Sequence, residues 1–133
     1  MGGSRYDYVA GMVAAFNAVR SQSGAGAVNQ AGSLNAAVEA YATLHYTQYG
    51  TTPLDHGLDG GPGDRAQRYG FFGSIGEILA AGNGTPEYFV QLWMASPPHR
   101  DIILDGKYTV VGVSCYQGPS SSDVMLCAAM FGG

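Results

Sequence analysis

Three histidines and one glutamate carry most of the chemistry this 133-residue sequence offers. Histidine is the side chain whose ordinary pKa lies between pH 5 and 8, so it can ligate a metal ion, move a proton or change charge near neutrality. His56 sits in a glycine-rich run from Thr51 to Asp64, and His99 in Ser96-Pro97-Pro98-His99-Arg100 at a helix exit. A histidine among loop glycines has little reason to be core packing. His45 reads differently: beside Leu44 on an apolar helical stripe, it is a packed or flanking histidine. Glu77 is an acid set among Phe71, Phe72, Ile75, Ile78 and Leu79. Burying a carboxylate is costly unless it is paired. Glu77 therefore either lies on an exposed face of its segment or has a partner such as histidine, a metal ion or backbone N–H groups. His56, Glu77 and His99 together can supply three ligands to Zn²⁺ with a fourth position open, although they form no short metal motif. No G-x-S-x-G elbow is present to name a hydrolytic nucleophile.

Cys115 and Cys127 flank Gln117-Gly118-Pro119-Ser120-Ser121-Ser122-Asp123, a turn-rich stretch between two apolar runs that reads as a hairpin tip. In a symmetric register the two cysteines face one another at a distance a disulfide spans. The other reading is a pair of buried, reduced cysteines. A disulfide would carry with it an oxidising compartment.

These residues need elements to hold them. Ser4-Arg5-Tyr6-Asp7 resembles a capping box, and Val9, Met12, Val13, Phe16 and Val19 recur at helical spacing, which predicts a helix over 5–21. After a Gly/Ser/Ala stretch, Ser33 can cap a second helix whose apolar stripe is Leu34, Ala37, Val38, Tyr41 and Leu44, ending near Gly50. Residues 51–64 favour a structured loop. Asp64 can cap one or two turns through Tyr69, with Gly70 stopping them. Residues 71–81 are a buried apolar segment of ambiguous type. Thr85-Pro86 opens a further helix, with Phe89, Val90, Trp93 and Met94 on its buried face, stopping before Pro97. Two strands over 108–116 and 124–131 finish the chain. Helices first and a hairpin last argue an α+β fold with helices covering a small antiparallel sheet.

Composition bounds the function. A chain of this length builds one self-supporting core, so residues 1–133 are expected to form a single domain. Lys+Arg 6 against Asp+Glu 10, with a formal net charge of -4 and no basic cluster, excludes a phosphate-tracking surface and with it nucleic acid. No apolar run is long enough for a transmembrane segment, and no signal peptide is visible. The 21 glycines, against a usual share of about 7%, are concentrated between residues 50 and 84 and read as loop chemistry.

Taken together, Asn17-x-x-Arg20, His56, Gly76-Glu77, Trp93-x-x-Ser96-Pro97-x-His99-Arg100, Val111-Gly112-Val113 and Phe131-Gly132 resemble the CAP (SCP-like) family, nearly end to end. That family joins cysteine-rich secretory, antigen 5 and pathogenesis-related proteins to bacterial secreted forms, of which this chain resembles the short kind. The resemblance implies a three-layer α-β-α sandwich with a small central antiparallel sheet and a cleft cluster of His56, Glu77 and His99. It implies that His56 and His99 can hold a divalent cation such as zinc. Ser96 stands where animal and plant members carry a second glutamate, and is read as a cap for the turn at Pro97. Asn17 and Arg20 are read as ties from the first helix to the sheet or following loops, Trp93 as core, and Arg100 as an anchor to a carbonyl, Asp101 or Asp105.

The function this implies is a secreted or extracellular binding domain whose partner is a peptide, lipid, glycan or protein. The alternatives are a metal-assisted hydrolase or protease, in which Glu77 helps deprotonate a metal-bound water, and a structural or interaction protein without a functional cleft.

Overall fold

The computed structural model describes residues 2–119 and 124–133. The expected hairpin tip at Ser120 to Asp123 therefore lies outside the described residues. After β1 (Gly3–Ser4), a single 3₁₀ turn (Tyr6–Tyr8) leads into α1 (Val9–Ser23). The elements β2 (Asn29–Gln30), α2 (Gly32–Tyr49), α3 (Pro62–Arg68) and β3 (Ile75–Gly82) follow. Then come α4 (Pro86–Met94), α5 (Pro97–Leu104), β4 (Val110–Gln117) and β5 (Met125–Gly132).

Three long antiparallel strands make the sheet, with β5 between β3 and β4. All eight residues of β5 are buried, as a strand covered on both faces must be. β1 pairs antiparallel, and β2 parallel, with the outer edge of β4, so the sheet is antiparallel except at that short edge. One face carries Met12, Phe16, Phe89, Trp93, Ile103 and Phe131 from α1, α4, α5 and the sheet. The other carries Leu34, Val38, Tyr41, Ala66, Leu79 and Met130 from α2, α3 and the sheet. The molecule is the expected α-β-α sandwich.

Several local readings are corrected by the same physics that suggested them. The Ser4 to Asp7 capping box does not form: Arg5 grips Asp7 instead at 2.8 Å, and α1 begins at Val9 after the 3₁₀ turn. Ser33 lies inside the first turn of α2, whose N-cap is Ala31. Asp64 is not a cap but the third residue of α3, and its carboxylate accepts from Gly61 N–H at 3.3 Å. The ambiguous segment is strand β3, because its consecutive buried residues are covered from both faces. Helix α5 has no counterpart among the expected elements, although Ser96-Pro97 supplies an N-cap residue followed by proline at the first helical position.

Two glycines are packing devices rather than loop chemistry. A Cβ on Gly112 of β4 would run into the backbone of Leu34 and Asn35, so its absence lets α2 lie directly on the sheet. A Cβ on Gly76 would come within 2.7 Å of the Tyr108 hydroxyl, one residue before Glu77.

Candidate functional site

The site is assembled around Glu77. The alternation of β3 puts Ile78 toward the α1 side and Glu77 toward α2 and α3, where its side chain is fully buried. Arg65, on α3 and itself 2% exposed, meets it as a fork: Nη1 donates to Oε2 at 2.8 Å and Nη2 to Oε1 at 2.7 Å. His56 Nδ1 lies 2.9 Å from the same Oε1. Burial pushes the Glu77 pKa up, but hydrogen bonds from Arg65 and then His56 outweigh it and hold the carboxyl below its usual value. Glu77 is a locked anion, not a free base.

Arg65 also fixes the loop. Its Nη2 donates to His56 O at 2.9 Å, and its guanidinium stacks 3.5 Å from the Tyr41 ring centroid. The Tyr41 hydroxyl in turn donates to Asp55 O and accepts from Leu58 N–H at 3.2 Å. His45 is completely buried and works on the same loop: its Nε2 accepts from Asp55 N–H at 3.0 Å, so its Nδ1 carries the hydrogen and donates to Gly50 O at 3.2 Å. The loop bearing His56 is thus tied down on both sides by buried side chains of α2 and α3. The Asp55 carboxylate is spent on Gly57 N–H at 2.8 Å, and Glu77, not Asp55, faces His56.

His99 comes from α5. Its Nδ1 lies 2.9 Å from the Ser96 hydroxyl. Burial lowers its proton affinity first and electrostatic repulsion from His56 second, which favours the neutral form of His99 near pH 7. Ser96 occupies the N-cap position of α5 but makes no side-chain cap bond; its hydroxyl serves His99. Both histidines therefore have Nδ1 engaged, by Glu77 and Ser96, with no described partner at Nε2. His56 keeps a side-chain exposure of 46%.

The remaining residues named from the sequence are structural. Asn17 receives Val28 N–H at 2.8 Å and donates to Val28 O at 3.0 Å. Buried Arg20 donates to the carbonyls of Gly26, Ile103, Asp105 and Tyr108 at 2.7 to 3.0 Å, tying α1 to the end of α5 and the start of β4. Trp93 is buried and donates to Leu79 O at 3.0 Å on the outer edge of β3. Arg100 is exposed and its side chain makes no described hydrogen bond; the anchoring expected of it is done by Arg20. Cys115 and Cys127 are directly paired across β4 and β5 and form a disulfide.

Arg65 and Tyr41 are the site residues that sequence reasoning missed. The available signal was scarcity: of six basic residues, two, Arg65 and Arg68, lie in the short stretch between the His56 loop and Glu77.

The sequence profile of the cysteine-rich secretory protein family, CAP, matches residues 13–129. The chain belongs to the CAP family. Among solved structures this CAP domain is similar to an outer surface protein from Borrelia burgdorferi, with a TM-score of 0.85, 18% identity, and coverage of 99% of this chain and 98% of the other. It also superposes on an extracellular protein containing an SCP domain from Bacillus anthracis, with a TM-score of 0.75, 20% identity, and coverage of 95% of this chain and 40% of that one. At these identities the likeness shows the fold. YkwD of Bacillus subtilis is 37% identical over 62 residues, which is 46% of this CAP domain and 24% of YkwD. The domain thus spans about a quarter of that relative's length.

Proposed function

We propose that this CAP domain is an extracellular binding module in which His56 and His99 hold a divalent cation such as zinc. One observation carries the reading: both imidazoles are oriented through Nδ1, by Glu77 and Ser96, which leaves Nε2 of each for a ligand, the usual arrangement of metal-binding histidines. The donor set fits a two-histidine site completed by solvent or by a partner. It does not fit a three-ligand protein site. Both Glu77 oxygens are taken by Arg65 and His56, and among the described residues no group of three or more His, Cys, Asp or Glu is arranged to hold a metal ion. When bound, the cation would supply a Lewis-acidic docking point for an oxygen of the partner. Glu77 would keep His56 turned outward, and Ser96 would hold the His99 ring.

The locked Glu77 weighs against the hydrolase reading, since a carboxylate held by an arginine fork is a weak proton acceptor. The Cys115–Cys127 disulfide and the extracellular or outer-surface naming of the structural relatives support secretion. Calorimetric titration with zinc chloride tests the cation site: one site is expected in the wild type and none in His56→Ala/His99→Ala. Absence of binding in the wild type, or equal binding in the double variant, would overturn the reading.

A further inference from the structure

A cavity of about 290 Å³ lies beside the outer edge of β4, bordered by the N-terminal segment on one side and α2 on the other. Arg5 occupies the strand edge there, its N–H donating to Cys115 O at 2.7 Å, so the cavity is a pocket for side-chain chemistry and not a place for an added strand. Asn35 and Glu39, four residues apart on α2, share one helix face and line it together. Ser114 lines it from the sheet, and Val9 and Val113 supply apolar wall. Tyr6, 70% exposed, stands at its outer side.

Two side chains of this lining have hydrogen-bonding capacity to spare. Ser114 is 4% exposed, yet its hydroxyl has no hydrogen-bond partner among the described residues. No side-chain polar atom among those residues is both sealed from solvent and unpaired, so this hydroxyl is reached from the cavity that Ser114 lines. Buried polar groups are almost always hydrogen-bonded, which marks the position as one that a ligand answers. Glu39 is the second. Its Oε1 accepts from the Tyr6 hydroxyl at 2.9 Å, and that neutral group is its one described partner. Arg5 also lines the cavity but is spent elsewhere: Nε and Nη2 donate to Asp7 at 2.9 and 2.8 Å, and Nη1 to Gln117 at 2.5 Å. The cavity therefore holds a carboxylate that no cation among the described residues neutralises, in a chain whose formal net charge is already -4.

We propose that this cavity is a second binding site, separate from the His56–His99 pair, that takes a primary ammonium group on a short alkyl stem. The ammonium donates to Glu39 Oε2 and to the Ser114 hydroxyl, which are charge-assisted hydrogen bonds, and the Tyr6 ring offers it a negative face. The stem lies against Val9 and Val113. The apolar wall favours an alkylammonium over a bare inorganic cation, and the Ser114 hydroxyl favours it over a quaternary ammonium, which has no N–H to give. A free alkylamine and the side chain of a lysine present this same chemistry.

The test is an NMR titration of the oxidised protein, at about 0.15 M salt to screen the general surface charge, with n-butylammonium chloride and with N-acetyl-lysine N-methylamide. Saturable shifts of the Ser114 and Glu39 amide signals are expected, with a dissociation constant of about 1 mM. Tighter binding of butylammonium assigns the site to free amines, and tighter binding of the lysine derivative assigns it to a protein side chain. n-Butanol, of the same shape without the charge, should bind at least about tenfold more weakly. Glu39→Gln, which keeps an acceptor for Tyr6, and Ser114→Ala should each weaken butylammonium binding about tenfold with the melting temperature little changed. His56→Ala/His99→Ala should leave it intact, which separates this site from the metal site. No saturable shift at about 20 mM amine, equal binding of butanol, or unchanged affinity in either folded variant would each overturn the proposal. If Glu39→Gln does not fold, the butanol comparison and Ser114→Ala still decide it.

Discussion

Glu77 accepts its hydrogen bonds from an arginine fork and a histidine, and removing its charge would strand the Arg65 guanidinium in the interior. Glu77→Gln is therefore expected to cost about 3–5 kcal/mol at pH 7, measured by urea unfolding. Because folding lowers the pKa of this carboxyl, the unfolded chain binds a proton that the folded chain does not. The corresponding stability is complete above the ordinary value of about 4.3 and is lost as pH falls through the lower folded value. The gap between wild type and variant should narrow in that acidic range. Ser96→Ala addresses the other histidine. Since the hydroxyl serves His99 and not the helix backbone, zinc affinity should fall about 10–100-fold while stability moves by only about 0.5 kcal/mol. If the proposed cation site is present, zinc binding should also weaken as the pH is lowered, because protons compete with the metal for imidazole nitrogen. His56, Glu77 and His99 were legible as anomalies of residue type in their surroundings. Arg65 was not, because an arginine in a short polar helix has the ordinary appearance of a surface residue until the fold buries it.

At the level of elements, the site depends on how closely α2 approaches the sheet. Gly112 permits that approach, and Tyr41 and His45 on the same helix then reach the His56 loop. Gly112→Ala must push α2 away from β4. The expected cost is about 2–3 kcal/mol in thermal or urea unfolding, together with disturbed NMR signals from the His56 loop; an unperturbed loop would show that the approach of α2 is not what sets it. Long amphipathic helices and apolar strands were readable because their periodicity survives in the sequence. The start of α1 and the existence of α5 were not. An Arg5–Asp7 pair competed with the capping box, and α5 exposes too much surface to leave an apolar stripe, with Ile103 its one buried residue.

For the whole molecule, the disulfide joins the two strands that carry the centre of the sheet. Cys115→Ser/Cys127→Ser is expected to lose about 2–4 kcal/mol in equilibrium unfolding while keeping its far-UV spectrum, since the β4–β5 register is also held by the pairing of Val110–Gln117 with Met125–Gly132 along the whole ladder. A variant that fails to fold would mean that the cross-link, not the register, specifies the hairpin. Both faces of the sheet are closed by helices, and among the described residues no helix is long and apolar enough to cross a membrane.

The sequence by itself determined the α+β class, the family, the cysteine pair and the residues whose types are unusual in their local setting, since all of these depend on composition, periodicity and short motifs. Only the tertiary structure decided which partner each of them meets. Glu77 finds Arg65 from α3, and His99 finds Ser96 one turn earlier on a helix the pattern did not announce. The physical reason is that a partner is fixed by three-dimensional proximity and burial. Both arise from how α2 and α3 pack on one face of the sheet and α1, α4 and α5 on the other, and no local stretch of the sequence carries that information.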